Sequence, residues 1–261
     1  MKYHLFNFKR KPENIESRFG TFLFCLCGLL SVWILSGCRT AARNASPSPA
    51  PMEVKIHAGL KPGDTFVLGQ YEQDNEPENG AEPVEWQVLS VENGRALVIS
   101  RYALDAKPYN NSYINVTWRR SSLRKWLNND FFDSAFSPAE KSFIAEVENA
   151  NPSNHLARTM GGLSTKDRIF LLSLEEANRY FSDDDSRLCH ATPYARANGA
   201  YVGENGYSWW WLRSPGRTGQ MAAVVLYVGY ITGPGYSVCD ASNVVRPAFW
   251  LDMHQAAAVN R

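Results

Sequence analysis

Three consecutive tryptophans, Trp209-Trp210-Trp211, followed closely by Arg213, are the densest group of chemistry-bearing side chains in the 261-residue chain. On a strand, Trp209 and Trp211 face one way and Trp210 the other. At least one indole therefore leaves the main core face unless the strand is covered on both sides. An outward ring beside Arg213 would stack on a sugar or a peptide, whereas rings covered on both faces are core packing. Arg213 and Arg246 each stand among apolar neighbours next to a proline turn or bend, at Pro215 and Pro247. A buried guanidinium needs partners: loop carbonyls or a carboxylate such as Asp167 in a structural role, a bound anion in a recognition role. Asp183-Asp184-Asp185 could offer oxygens to calcium, but it lacks the alternating spacing of a calcium loop and reads as a solvated acidic turn. The five histidines (His4, His57, His155, His190, His254) form no tight pair, and no CxxC or zinc-type Cys/His spacing occurs. His190 adjoins Cys189, yet adjacent strand residues point apart. Nucleophile-elbow, P-loop and dinucleotide motifs are lacking. A glycosidase needs two carboxylates across a cleft, and Glu140, Glu146, Glu148, Glu175 and Glu176 fall on helical faces predicted to be exposed. No catalytic residue, cofactor or metal is expected.

The elements that must position these residues read as one mixed domain. Thr65–Tyr71, Val84–Val91 and Ala96–Ser100 are strand-like, the last two joined by Asn93-Gly94, which tolerates the positive φ of a type I′ hairpin turn. Glu72–Pro83 is a polar loop. Leu123, Trp126 and Leu127 fall at i, i+3 and i+4 behind a serine cap, Ser121 or Ser122. Ser137-Pro138-Ala139-Glu140 is a capping box predicted to open a helix carrying Phe143, Ile144 and Val147. Asn149–Thr165 reads as a polar loop, Ile169–Leu172 as a short buried strand, and Ser173–Glu176 as a second capping box. Ser208–Arg213, Met221–Val228, Ile231–Val238 and Val244–Leu251 are strand candidates separated by Gly and Pro. Helices early and strands late, without βαβ alternation, predict an α+β domain with an N-terminal hairpin and helices and a C-terminal antiparallel sheet.

The N-terminal residues bear on compartment. Thr21–Gly37 is an apolar run behind Lys9, Arg10, Lys11 and Arg18. As a helix it would span about 25 Å, short of the roughly 30 Å hydrocarbon core, and the order of charge and apolar residues is that of a secretory leader. It ends in Leu35-Ser36-Gly37-Cys38, which resembles the lipobox of bacterial lipoproteins and implies lipidation of Cys38; an uncleaved transmembrane helix is the alternative. Residues 1–37 read as signal peptide, 38–58, with Ser-Pro-Ser-Pro-Ala-Pro, as an extended polar tether, and 59–261 as the globular domain. Lys and Arg number 27 and Asp and Glu 26. Residues 1–37 hold five bases against two acids, leaving 22 and 24 in the remainder. A near-neutral body without basic runs argues against nucleic-acid binding. Cys189 and Cys239 are the only cysteines of the globular part. They are either bridged, closing a loop of about 50 residues worth roughly 4 kcal/mol in the chain-entropy model, or two buried thiols.

Thr117-Trp118, Ser122–Asn128, Phe131 to Ser137, Asp167–Ser173, Cys189 to Ala195, Trp210–Gly216 and Val245–Ala248 together resemble, in order, a bacterial family of unknown activity, domain of unknown function 6273. Its C-terminal layout looks like the C-type-lectin-like fold of formylglycine-generating-enzyme-type domains, in which a strand bearing tryptophan and arginine precedes paired strands and an arginine-containing end. The oxidase chemistry of that enzyme does not carry over, because it uses two cysteines close together. The expected role is a lipid-anchored extracytoplasmic binding module. Trp209, Trp210, Trp211, Arg213, Arg246 and the loops Gly203–Ser208, Arg217–Gln220 and Gly233–Tyr236 are its candidate contacts, with a glycan or protein as ligand. The rivals are a cell-envelope hydrolase and a purely structural envelope protein.

Overall fold

A computed structural model describes residues 59–259; the leader, Cys38 and the whole tether lie outside the described residues. Among the described residues no helix is long and apolar enough to cross a membrane.

Twelve strands build two five-stranded sheets and one small pair. The first sheet begins with β1 (Thr65–Tyr71), β2 (Glu82–Glu92) and β3 (Arg95–Ser100). The β2–β3 turn holds Asn93 at φ 50° and Gly94 at φ 74°, the left-handed backbone expected of Asn-Gly. Two strands from much later in the chain complete this sheet, β5 (Ile144–Ala145) and β12 (Ala248–Asp252), in the order β1-β2-β3-β12-β5, antiparallel throughout. The second sheet runs β10-β9-β8-β11-β4, from β4 (Asp105–Ala106), β8 (Trp210–Pro215), β9 (Met221–Val225), β10 (Ile231–Ser237) and β11 (Val244–Val245). It is mixed rather than antiparallel, because β11 lies parallel to β8.

Val244–Leu251 is therefore not one strand. Pro247 has no N–H for a ladder, and the chain changes sheets there, leaving β11 in the second and β12 in the first. Nor does the helix opened by Ser137 reach Val147. The capping box forms, but its helix, α3 (Pro138–Lys141), ends there, and Ile144 enters β5. The polar segment after it makes β6 (Val147–Asn151) and β7 (Gly162–Asp167) rather than a loop. Alternating burial (Asn149, Thr165 and Asp167 in, Glu148 and Lys166 out) gives this pair its period, so polar side chains supply a pattern usually sought in apolar ones.

Ile169–Leu172 is extended and fully buried but joins no ladder. Phe170 exchanges both backbone hydrogen bonds with Ala248 of β12, and Leu172 O accepts from Arg213 N of β8. The segment fastens one sheet to the other. Covering the first sheet, α1 (Ser122–Trp126) starts at Ser121, whose hydroxyl accepts from Arg124 N, and continues through a π turn into α2 (Phe132–Ala135). Asn128, in that turn, holds Ile169 O with its Nδ2 and accepts from Arg168 N with its Oδ1. Beneath, Trp86, Phe131, Phe136 and Phe249 form one aromatic cluster, in which Trp86 stacks on Phe136 and meets Phe249 edge-on at 4.6 Å. Each such ring removed from water stabilises by about 1.5–3 kcal/mol. Two short helices complete the chain between the sheets, α4 (Leu174–Tyr180) and α5 (Pro193–Ala197), and α6 (Met253–Val259) ends it.

Candidate functional site

The structure separates the three tryptophans. Trp210 and Trp211 are completely buried, and their indole N–H groups donate to Arg187 O and Lys107 O. Neither can meet a ligand, which removes both from the candidate contacts: covered on both faces, β8 buries its alternate side chains equally. Trp209, just before β8, is half-buried.

Around Trp209 gather Tyr201 and Tyr227, which lie outside the candidate loops, and Tyr236 from one of them. Tyr201 lies 4.6 Å from it, Tyr236 4.5 Å, and Tyr227 stacks at 6.3 Å with planes 15° apart. Gly203 is required here, since a Cβ would come within 2.3 Å of the Tyr227 ring. The Tyr227 turn is pinned from two sides: Asn205 Nδ2 donates to Tyr227 O, and Arg187 Nε donates to Gly229 O. Gly229 sits at φ +80°, where a Cβ would strike Asp184 O at 1.8 Å. Next to this basin, His190 stacks on Tyr207 at 4.2 Å.

The basin has a polar element. Val244 pairs in parallel with Trp210, which sets Asn243 beside Trp209 and turns both side chains to one face. Asn243 is fully buried, and neither polar atom of its amide finds a partner among the described residues; the same holds for Trp209 Nε1 and Ser208 Oγ. Tyr236 keeps its phenol proton above the usual range, first through burial, then through Asp240 and the neighbouring phenols. Flat π faces with N–H and O–H groups among them suit a ligand that stacks and hydrogen-bonds at once. Of the three loops expected to converge, Gly203–Ser208 lines the basin and Tyr236 reaches it from the third. Arg217–Gln220 follows the opposite end of β8, where Arg217 N donates to Pro234 O.

Both arginines are structural in their contacts. Arg213 is 3% exposed, forks onto Glu176, and donates to Leu171 O at 2.8 Å and Ala150 O at 2.9 Å. Its carboxylate partner is Glu176 rather than Asp167, which is held by Arg124, Trp118, Thr165 and Asn149. Arg246, 2% exposed, pairs with no carboxylate among the described residues. It lies 5.2 Å over Trp210 and 5.4 Å over Phe181, and its Nε donates to Ser100 O. Burial lowers its pKa, opposed by nearby Cys189. Cys189 is itself buried and pushed up by desolvation, with Arg246 pulling the other way. Cys189, buried, and Cys239, half-buried, are not bridged in this structure.

The acids are engaged locally. Asp183 accepts from Ser186 N, and Asp184 pairs with Arg187. Glu72, Asp74 and Glu82 bring carboxylate oxygens within 4.8 Å of one another. Glu82 accepts from Gln73 N and Asp74 N, and Glu72 and Asp74 from Glu76 N, so the trio fastens its own loop.

A family model described as Domain of unknown function (DUF6273) matches residues 93–253, from the β2–β3 turn to the end of β12 and so across every residue of the basin. No curated protein and no solved structure matches the chain.

Proposed function

The chain belongs to the DUF6273 family, a domain of unknown function, and from the site we propose that the domain is a binding module whose ligand is received on the aromatic basin at Trp209. The observation that supports it is the contrast within one tripeptide: two indoles fully enclosed, the third half-open among three tyrosines above a buried, unpartnered amide. The reading extends to place and fold. The domain works outside the cytoplasmic membrane, held by lipid on Cys38 and a Pro/Ser tether. Its scaffold is of the C-type-lectin-like kind, supported by β8, with Trp210, Trp211 and Arg213, preceding the β9–β10 pair and an arginine-bearing end at Arg246. A glycan, with one apolar ring face and a hydroxylated rim, is the ligand class that a stacking floor with buried donors suits best. A glycan-cleaving envelope hydrolase would need two free converging carboxylates, and the acidic trio noted above is already engaged by backbone amides.

The test is equilibrium binding of solubilised envelope glycan fragments to the full chain and to Trp209→Ala and Tyr201→Ala variants, followed by tryptophan fluorescence. Each variant is expected to weaken binding at least tenfold, while Val67→Ser, on an exposed position of β1, leaves it unchanged. Equal binding by all four proteins rejects the basin.

A further inference from the structure

One end of the domain is free of acids in the sequence and greasy at its surface. None of residues 107–129, 149–166 or 205–239 is Asp or Glu. Where the first two of these segments meet, Arg119, Arg120, Gly161, Gly162, Leu163 and Thr117 line an open hollow of about 540 Å³. Arg119, Arg120, Arg158 and Arg217 are exposed and pair with no carboxylate among the described residues; Lys166, by contrast, lies opposite Glu148.

Apolar side chains project from the same end: Met160 is 81% exposed, Leu163 68%, Tyr113 62% and Ile114 55%. They are held there by structure. Buried Asn154 donates to Pro215 O and Gly233 O and accepts from Leu156 N and Ala157 N, so the segment between β6 and β7 is clamped to the second sheet at its base. Thr159 Oγ1 donates to Arg217 O, and Gly162 meets Thr117 closely enough that a Cβ would touch it at 3.4 Å. A rigid loop that presents methionine and leucine to water beside arginines that pair with no carboxylate among the described residues has the composition of a surface that enters the lipid interface.

We propose that this end docks on the anionic phospholipid surface, with Arg119 and Arg120 on lipid phosphates and Met160 and Leu163 among the acyl chains. The inference rests on the membrane-tethered reading above. Charge complementarity selects the occupant, since each basic group near an anionic leaflet adds to attraction that salt screens. The N-terminal chain supplies reach: the twenty or so residues between Cys38 and Gly59 extend at most about 70 Å, enough for the domain to lie down on the surface that anchors it. Arg119 and Trp209 are far apart in the chain and on separate elements, so membrane docking and ligand capture are separable by mutation.

The test uses the full chain reconstituted in vesicles of phosphatidylcholine alone or with one-third phosphatidylglycerol, with amide hydrogen exchange as readout. Residues 113–120 and 153–163 are expected to exchange at least fivefold more slowly on the anionic vesicles in low salt. The difference is expected to vanish in high salt, in Arg119→Glu/Arg120→Glu and in Met160→Ser/Leu163→Ser, while protection in β3 and β12 is unchanged. Equal exchange on both vesicles overturns docking. So does equal protection of these residues by soluble polyglutamate without vesicles, which would assign the face to an acidic protein. The anchor is read separately: a chain that floats away from neutral vesicles has lost it, and the anionic arm still decides docking.

Discussion

Replacing Arg213 by methionine leaves Glu176, Leu171 O and Ala150 O without their cation at a site that is almost closed to water. The expected loss is about 3 kcal/mol in urea unfolding, and Arg213→Lys should recover little of it because an ammonium lacks the fork. Glu176→Gln should cost less, since the amide oxygen still accepts from Ser173 N in the capping box. Acid–base behaviour follows from the same enclosure. Burial holds Cys189, Tyr71 and Tyr109 protonated above the ordinary ranges of their groups, Tyr71 with help from Asp105. The unfolded chain releases these protons first, near pH 8.5 for thiol and 10 for phenol. It therefore binds fewer protons than the native state, and stability is lost as pH rises through that range. Calorimetry from pH 7 to 11 should show a falling Tm, steepest above pH 10; a Tm level to pH 11 contradicts the burial assigned to these groups. The tryptophan triplet was legible as unusual, but alternation alone could not say which ring stays open. Tyr201, Tyr227 and Asn243 were invisible for a physical reason: they meet Trp209 through a parallel pairing and a turn that no local spacing encodes. The Glu176 partner, in contrast, sat in a recognised capping box and could have been preferred to Asp167 on its fixed position.

Ser173→Ala removes the acceptor for Glu176 N at the start of α4 and should cost about 1 kcal/mol in the same denaturation experiment. Gly229→Ala should cost on the order of 3 kcal/mol, because it combines a left-handed backbone with a Cβ driven into Asp184 O; native-like stability in that variant would contradict the turn geometry. Elements with local punctuation were readable. The Asn93-Gly94 hairpin and both capping boxes form where their residues predict. Elements set by distant partners were not: α3 stops at Lys141 because Ile144 is wanted beside Leu251 of β12, and β6 and β7 alternate with polar side chains in place of apolar ones. The Thr192-Pro193 start of α5 carried a usable signal, a capping threonine before proline, that went unread.

The two sheets share parts, and this predicts a single unfolding transition. Ile169–Leu172 bonds to both, and the chain crosses from β11 into β12 at Pro247. Far-ultraviolet circular dichroism and tryptophan fluorescence should give coincident urea curves; two separated midpoints would show that the sheets are independent. Placement of β12 has a temporal corollary. The strand between β3 and β5 begins at Ala248, long after β3 ends at Ser100, so the edge of β3 and the Trp86 cluster stay unclosed until all the chain between them has been made. A partial chain therefore exposes an unpaired β3 edge, open to pairing with other strands until β12 arrives.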